Sequence, residues 1–216
     1  YSSAPLISPA LVSVVIPTRD RSSLLARTLH SVLDQQGVDL RVIVVDDASS
    51  DDTPAMLARV GDDRLTVIRH TTPGGVSAAR NAGIEASTGD WVAFLDDDDL
   101  WSPTKLKAQI EAADSTERVW AFSGSITFTE DGTMFFGEAP PPVDVIVASL
   151  RMRNCVPAGA SNVVVRTSAL RQSGGFDPSL RHLADWDLWI RLVRLGPPAP
   201  SPFEGRLNNM AVEGSA

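Results

Sequence analysis

Short apolar blocks, separated by polar segments with helical spacing, run through the first half of the chain. The blocks are continuous, as in strands buried on both faces of a parallel sheet, and they cover residues 11–17, 40–45, 65–70 and 91–95. Between the first two blocks, apolar side chains recur every three or four positions until Gly37, which is expected to end a helix. This alternation predicts right-handed crossovers and an α/β fold, with a doubly wound, mostly parallel sheet and helices on both faces.

The other elements are predicted from shorter signals. Further helices are expected over residues 49–60, 76–84, 105–113 and 183–195, the third preceded by Ser102 as N-cap and Pro103 as first helical residue. In the second half we expect a hairpin from residues 119–129 and 133–136 around an Asp131-Gly132 turn, a helix or strand at 143–150, and a strand at 161–166. This half is therefore expected to add a smaller antiparallel region. Four prolines in residues 196–202 end regular structure.

Composition indicates one large, ordinary globular domain of 216 residues, preceded by a disordered leader at residues 1–10. The formal charge of -8 argues against nucleic acid as the main partner. Cys155 is the single cysteine, which excludes an internal disulfide and predicts a cytoplasmic protein. No apolar stretch reaches the roughly 20 residues of a transmembrane helix.

Four consecutive aspartates, residues 96–99, follow the apolar block at 91–95. Adjacent carboxylates repel one another unless solvent or a cation intervenes. Most such runs are solvated acidic turns, but this one is expected at the carboxyl end of a buried strand, where open α/β sheets bind ligands. The position favours a divalent cation, and oxygen ligands suit Mn²⁺ or Mg²⁺.

Polar residues also follow the other predicted strands. Asp47 ends the second strand and is expected either to contact a nucleoside or to cap the next helix. After the first strand, residues 18–21 either supply backbone groups and a guanidinium group suited to a nucleotide or form a surface loop. Gly74-Gly75 predicts an anion cradle at a helix N-terminus. The chain lacks the G-x-G-x-x-G pattern and a Walker lysine, which argues against a Rossmann dehydrogenase or a P-loop NTPase.

The order of these segments carries the most specific signal. VSVVIPTRDR, VIVVDDASSDDT, GGVSAARNAG and FLDDDD occur in succession, followed by ASNVVVR and GGFDPSLRHLADWDLWIRL. Together, over residues 11–195, they resemble glycosyltransferase family 2, the inverting nucleotide-sugar transferases of GT-A fold. The resemblance implies that residues 11–103 form a nucleotide-sugar-binding half and residues 104–216 an acceptor-binding half of one domain.

The resemblance also implies a role for individual residues. Asp185 matches the catalytic base, and Asp98 the metal ligand that holds Mn²⁺ or Mg²⁺ on the donor diphosphate. The expected nucleotide-binding residues are Pro17, Thr18, Arg19, Asp47, Arg80, Asp96 and Asp97. Ala158 and Gly159 fall where the family's acceptor pocket lies, and the ring of Trp101 is expected to stack on a sugar.

The implied donor is a UDP-sugar, with a dTDP-sugar second. The implied acceptor is a hydroxyl group of a saccharide, a lipid-linked saccharide or a small molecule. Such acceptors are compatible with peripheral contact between the protein and a membrane surface. Two departures from the family pattern stand out: Ala184 replaces the usual glutamate before the base, and no histidine follows His182. Either a metal-binding histidine is absent or the sequence omits a mobile segment.

Two other functions stay open at this stage. A nucleotidyltransferase would share the sheet, the nucleotide and the metal, but it would need a glycine-rich basic loop after the first strand, and TRDRSS contains no glycine. A non-catalytic sugar-nucleotide binding module is slightly favoured by Ala184 and by the missing histidine. Donor hydrolysis would exclude the binding module.

Overall fold

The computed structural model describes residues 9–128, 134–201 and 211–214. Its strands are β1 (Leu11–Thr18), β2 (Asp39–Asp46), β3 (Leu65–Arg69), β4 (Trp91–Phe94), β5 (Leu100–Trp101), β6 (Trp120–Phe122), β7 (Ser125–Phe128), β8 (Met134–Glu138), β9 (Val163–Arg166), β10 (Ala199–Pro200) and β11 (Ala211–Gly214). Its helices are α1 (Ser22–Leu33), α2 (Thr53–Leu57), α3 (Val76–Ala86), α4 (Lys105–Ser115), α5 (Val143–Ser149), α6 (Thr167–Gln172) and α7 (Ala184–Leu192), with a 3₁₀ turn at Gly159–Asn162.

Among these residues, the main sheet has seven strands in the order β10-β6-β9-β4-β1-β2-β3. The four strands β3, β2, β1 and β4 run parallel, as the apolar blocks predict. Strand β9 is antiparallel to both β4 and β6, so one strand from the second half lies inside the sheet of the first half. The α/β fold with a mostly parallel sheet is therefore confirmed.

A smaller sheet has the described strand order β5-β11-β7-β8. The pairs β5–β11 and β7–β8 are antiparallel, whereas β11 runs parallel to β7. The β7–β8 pair is the predicted hairpin, and its Asp131-Gly132 turn lies outside the described residues. Residues 1–8 of the expected leader also lie outside them.

Helices cover both faces of the main sheet and bury it. On one face, α1 and α4 pack on the strands through Leu25, Leu29, Leu106 and Ile110. On the other face, α6 and α7 contribute Leu170, Leu188 and Trp189. Helix α3 approaches β1 so closely that a methyl group at Gly83 would lie 2.3 Å from Val15 Cγ1. This tight contact fixes α3, and its N-terminus, against the central strand.

Several predicted element boundaries are wrong. Helix α1 ends at Leu33 instead of at Gly37, and α7 ends at Leu192 instead of at residue 195. Helix α2 ends at Leu57 instead of near residue 60. Helix α4 begins at Lys105 with Thr104 as N-cap, so that Ser102 and Pro103 form the turn before it. The strand expected over residues 119–129 is two strands, β6 and β7, in different sheets. Helix ends shift by one or two residues with the assignment criterion, so the division of residues 119–129 between two sheets is the difference that changes the fold.

Within the described ranges, no helix combines the length and the apolarity needed to span a bilayer. Cys155 is a free thiol, and burial raises its pKa above the usual range. Cytoplasmic location and the division at residue 103 stay predictions. Residues from both sides of that division share the main sheet and its core.

Candidate active site

Strands β1, β2 and β4 end at the same edge of the main sheet, and a cleft of about 490 Å³ opens there. This carboxyl edge is where open α/β sheets bind their ligands. Every residue predicted to bind nucleotide or metal lines the cleft: Pro17, Thr18, Arg19, Asp47, Arg80, Asp96, Asp97 and Asp98. The fold therefore brings together side chains that are up to 81 positions apart in the chain.

Thr18, at the end of β1, and Arg21, just before α1, contact the two middle aspartates of the run. Thr18 Oγ1 donates to Asp97 Oδ2 at 2.7 Å, and Arg21 Nη1 donates to Asp97 Oδ1 at 3.2 Å and to Asp98 Oδ2 at 2.6 Å. Burial raises the pKa of Asp97, although the Thr18 hydroxyl and the Arg21 charge oppose the shift. The charge of Asp97 is in turn the main reason that the pKa of Arg21 is raised.

The first aspartate of the run has a separate partner. Asp96 Oδ1 accepts a hydrogen bond from Arg80 Nη2 at 2.5 Å, and the Arg80 side chain is only 8% exposed. The guanidinium group of Arg80 also lies 5.1 Å from the centre of the Phe176 ring, a cation–π distance. The backbone N–H of Asp96 donates to Ser161 Oγ at 3.0 Å. Asp96 is thus fixed between α3 and the loop that precedes β9.

The carboxylates of Asp97 and Asp98 fit a divalent cation, because both already approach one positive charge. A single nitrogen atom of Arg21 contacts the two carboxylates. Mg²⁺ and Mn²⁺ are often held by one or two carboxylates and complete their shells with water and substrate phosphates. Across residues 9–128, 134–201 and 211–214, no group of three or more metal-binding side chains occurs. An ion held by this pair would therefore need phosphate or water ligands.

Asp47 connects the end of β2 to the N-terminus of α3. Its Oδ1 accepts hydrogen bonds from Gly74 N–H at 2.8 Å and from His70 Nδ1 at 2.7 Å, and its Oδ2 accepts one from Gly75 N–H at 2.7 Å. Burial would raise the pKa of Asp47, but these donors prevail and lower it. The expectation that the two glycine N–H groups form a free anion cradle is therefore wrong, because the Asp47 carboxylate already occupies them.

Asp185 lies in the first turn of α7 and is not among the residues that line the cleft. Its Oδ1 accepts the backbone N–H of Trp186 at 2.8 Å, and its Oδ2 accepts Asn154 Nδ2 at 3.3 Å. A methyl group at Gly159 would lie 3.1 Å from Asp185 Oδ2. The turn that contains Gly159 also contains Ser161, so one short segment contacts both Asp185 and the backbone of the aspartate run.

The three predicted acceptor-side residues have different environments. Ala158 and Gly159 are half-buried, and both have left-handed backbone conformations, with φ of 50° and 51°. Trp101 is only 4% exposed, its Nε1 donates to Ser161 O at 2.8 Å, and the Lys105 ammonium group lies 4.2 Å from its ring centre. This burial corrects the expectation that the Trp101 ring stacks on an acceptor sugar, because almost none of the ring is accessible.

Ala184, which replaces the family's usual glutamate, is 6% exposed and belongs to the apolar core. A glutamate side chain would have to leave this environment to reach the cleft. No histidine follows His182 in the sequence, and residues 202–210 lie outside the described residues.

Sequence reasoning missed several residues that position the site. The sequence predicts Arg21 only as part of the segment 18–21 that supplies a guanidinium group for a nucleotide, whereas in the structure Arg21 contacts two aspartates of the run. Asn154, Ser161 and His70 were not singled out. Arginine directly after the first strand is a signal that could have identified Arg21. The roles of the other three depend on contacts with residues 23 to 65 positions away, which no local pattern reveals.

Comparison with known proteins places the chain in a family. The family model described as Glycosyl transferase family 2 matches residues 13–170. The chain is 32% identical over 191 residues to the "Putative teichuronic acid biosynthesis glycosyltransferase TuaG" of Bacillus subtilis, covering 86% of this chain and 73% of TuaG. It is 28% identical over 188 residues to the "UDP-Glc:alpha-D-GlcNAc-diphosphoundecaprenol beta-1,3-glucosyltransferase WfaP" of Escherichia coli, covering 86% of this chain and 71% of WfaP.

The fold also matches a solved structure. The crystal structure of S. aureus TarS in complex with UDP-GlcNAc superposes with a TM-score of 0.69 at 19% identity, over 95% of this chain. The chain spans 58% of that longer TarS chain. At this identity the likeness shows a shared GT-A fold, whereas the family model and TuaG show kinship in sequence. The chain belongs to glycosyltransferase family 2.

Proposed function

We propose that this chain is a metal-dependent, inverting glycosyltransferase that moves a sugar from a UDP-sugar to an acceptor hydroxyl group. The observation that carries the proposal is the cleft in which the aspartate run, Asp47 and Arg80 meet at the carboxyl edge of the sheet. The name of WfaP gives UDP-Glc as its donor, and TarS was solved with UDP-GlcNAc. Both support a UDP-sugar, and a dTDP-sugar is the second choice because thymine presents the same polar edge as uracil.

Asp47 has the hydrogen-bonding capacity needed to recognise the base. A carboxylate offers about four lone-pair sites, and three donors already use Asp47. One site is left for the N–H group of a pyrimidine base. The low pKa of Asp47 keeps it ionised, and therefore an acceptor, throughout the neutral range.

The aspartate run would hold the diphosphate through a cation. Asp98, assisted by Asp97, would bind Mn²⁺ or Mg²⁺, and the bound ion would neutralise the charge that develops on the departing nucleoside diphosphate. Arg21 contacts one oxygen of each carboxylate and would compete with the ion for them. Arg80, which is nearly buried and lines the same cleft, adds a fixed positive charge beside the phosphates.

Asp185 would act as the general base. Its carboxylate is oriented by Asn154 and by the backbone of α7, and its remaining lone pairs can accept the proton of an acceptor hydroxyl group. The hydroxyl oxygen then bonds to the anomeric carbon as the bond to the diphosphate breaks, which inverts the configuration. We further propose a saccharide on a lipid diphosphate as acceptor, because the name of WfaP gives such an acceptor for that relative.

Calorimetric titration with UDP, in Mn²⁺ and in EDTA, tests the nucleotide and metal parts. We expect binding that depends on Mn²⁺ and weakens at least tenfold in Asp98→Asn. Asp90→Asn is the matched control, because exposed Asp90 lies just before β4, at the opposite end of that strand. Binding that is unchanged by EDTA, or by Asp98→Asn, would contradict the metal role.

A second pair of variants tests the base. Asp185→Asn should bind UDP normally but lose transfer, whereas Asp187→Asn, in the same helical turn, should keep both. Slow hydrolysis of the donor in Mn²⁺, measured as release of UDP, provides an assay that needs no acceptor. UDP binding without hydrolysis or transfer would favour the non-catalytic binding module. Full transfer activity in Asp185→Asn would refute the proposed base.

A further inference from the structure

Two surface segments meet beside Asp185. Trp186 Nε1 donates to the carbonyl oxygen of Leu150 at 2.6 Å, and Asn154 Nδ2 donates to Asp185 Oδ2 at 3.3 Å. The turn at residues 151–153 is thus tied at both ends to the start of α7, while its own three residues are exposed. Residues 181–183, which lead directly into α7, are exposed as well. We call residues 151–153 and 181–183 the basic rim.

The basic rim carries apolar side chains that folding does not bury. Met152 is 83% exposed, and Leu183 is 59% exposed. Leu183 also has a left-handed backbone conformation with φ of 62°, which is uncommon and unfavourable for a residue with a branched side chain. Burial in the core does not explain this conformation, because Leu183 is 59% exposed. Strained residues of this kind concentrate at functional sites.

The charge of the rim is opposite to that of the whole chain. Arg151, Arg153 and Arg181 are exposed, and the basic rim itself contains no aspartate or glutamate, in a chain of formal charge -8. The nearest acidic residues along the sequence are Asp144, Asp177 and Asp185. Within the described parts of the chain, none of these three arginines forms an ion pair or a side-chain hydrogen bond. A local positive charge in an acidic protein selects an anionic partner.

We propose that the basic rim docks on the surface of an anionic phospholipid bilayer. Arginines near such a surface are attracted to its headgroups, and exposed apolar side chains such as Met152 and Leu183 insert at the headgroup boundary. The proposal rests on the function proposed above, because docking at this rim brings Asp185 close to an acceptor saccharide that is anchored in the bilayer. The rim therefore sets the direction from which the acceptor enters.

Vesicle co-sedimentation of the 216-residue chain tests the proposal. The vesicles contain phosphatidylcholine alone or with 30% phosphatidylglycerol, at about 0.1 M salt. We expect binding to the anionic vesicles only. The double variant Arg151→Gln/Arg153→Gln should bind roughly 25-fold more weakly, since each arginine contributes about fivefold. Met152→Ser should lower binding by a smaller factor.

The matched control is Arg27→Gln/Leu24→Ser on α1, where an exposed arginine and a 37% exposed leucine lie far along the chain from the rim. This variant should bind vesicles as the wild type does. Circular dichroism melting of each variant checks folding. Equal binding to neutral vesicles, or equal losses in the rim and control variants, would overturn the proposal. Binding of a soluble diphosphate saccharide at the rim without binding of vesicles would also overturn it.

UDP titration of the same variants separates this inference from the proposed function. UDP binding without vesicle binding would refute the docking surface and leave the transferase site supported. Vesicle binding that depends on the rim arginines, without any UDP binding, would support the docking surface and refute the nucleotide site. Both measurements use the isolated chain and need no identified acceptor.

Discussion

Replacement of Asp47 should weaken the fold and the nucleotide site together, because one carboxylate serves both. In Asp47→Ala, the N–H groups of Gly74 and Gly75 lose their acceptor. The His70 ring also loses its bond to Asp47 Oδ1. Hydrogen bonds to a charged group contribute about 1.5–3 kcal/mol each, so the two glycine bonds alone would give about 3–6 kcal/mol. Both glycines are exposed, so water can replace part of the loss. We therefore expect the free energy of unfolding to fall by about 2 kcal/mol.

The pH dependence gives a second, independent readout of the same contact. The folded-state pKa of Asp47 is lowered, because its hydrogen-bond donors outweigh the opposing effect of burial. A lowered pKa stabilises the fold above the unfolded value of 3.8, and this contribution is lost as pH falls through that value towards the folded pKa. The difference in stability between wild type and Asp47→Ala should therefore shrink between pH 6 and pH 3.5.

Urea unfolding at several pH values measures both effects. Asp52→Ala is the matched control, since Asp52 is exposed and its nearest Arg59 nitrogen lies 3.8 Å away, so that about 0.5 kcal/mol or less should be lost. Asp47→Asn, which keeps one acceptor oxygen, should fall between Asp47→Ala and wild type. A loss below about 0.5 kcal/mol in Asp47→Ala, or a difference independent of pH, would refute the reasoning.

Three further predictions follow from single contacts. Arg21→Gln should strengthen the binding of Mn²⁺ in the absence of nucleotide about threefold to fivefold, because the half-exposed Arg21 side chain no longer competes for the carboxylates of Asp97 and Asp98. Titration followed by the electron paramagnetic resonance signal of Mn²⁺ measures this. Weaker binding would contradict the prediction. Burial lowers the pKa of Lys105, so the native state binds fewer protons than the unfolded state. Relative to Lys105→Met, the free energy of unfolding of the wild type should therefore rise from pH 7 to 9.5, by at most about 1.4 kcal/mol per pH unit. Urea unfolding of both proteins at several pH values measures this, and the absence of a trend would show that the pKa of Lys105 is unperturbed. Gly83→Ala should cost about 1–3 kcal/mol through collision with Val15, whereas Gly61→Ala, which meets nothing within 4 Å, should be nearly neutral in thermal melting.

The positions of most candidate site residues could be predicted because two local patterns coincide. Residues in parallel strands are apolar on both faces, so β1, β2 and β4 stand out as continuous blocks, and the polar residues that follow each block mark the end of a strand. Asp47 and the aspartate run were identified in this way. Arg80 and Asp185 required the family resemblance, since neither follows a strand directly.

The sequence could not predict what the polar side chains bind. The N–H groups of Gly74 and Gly75 donate to Asp47, which lies 27 and 28 positions away. These N–H groups were expected to bind an anion, but in the structure their hydrogen bonds join the end of β2 to the start of α3. A tryptophan side chain is amphipathic, so the sequence is compatible with Trp101 either stacking on a sugar or packing in the core. Packing against Lys105 and Ser161 decides for the core.

The α/β class, the strands of the parallel half and the family could be predicted from the sequence, because periodicity and ordered motifs are properties of the chain. The tertiary structure alone decided that β9 enters the main sheet antiparallel, that Arg21 bridges two aspartates, and that the turn at residues 151–153 is held beside Asp185. Each of these depends on contacts between residues more than 30 positions apart. Such contacts form only when the whole chain has packed, so no local window of sequence contains them.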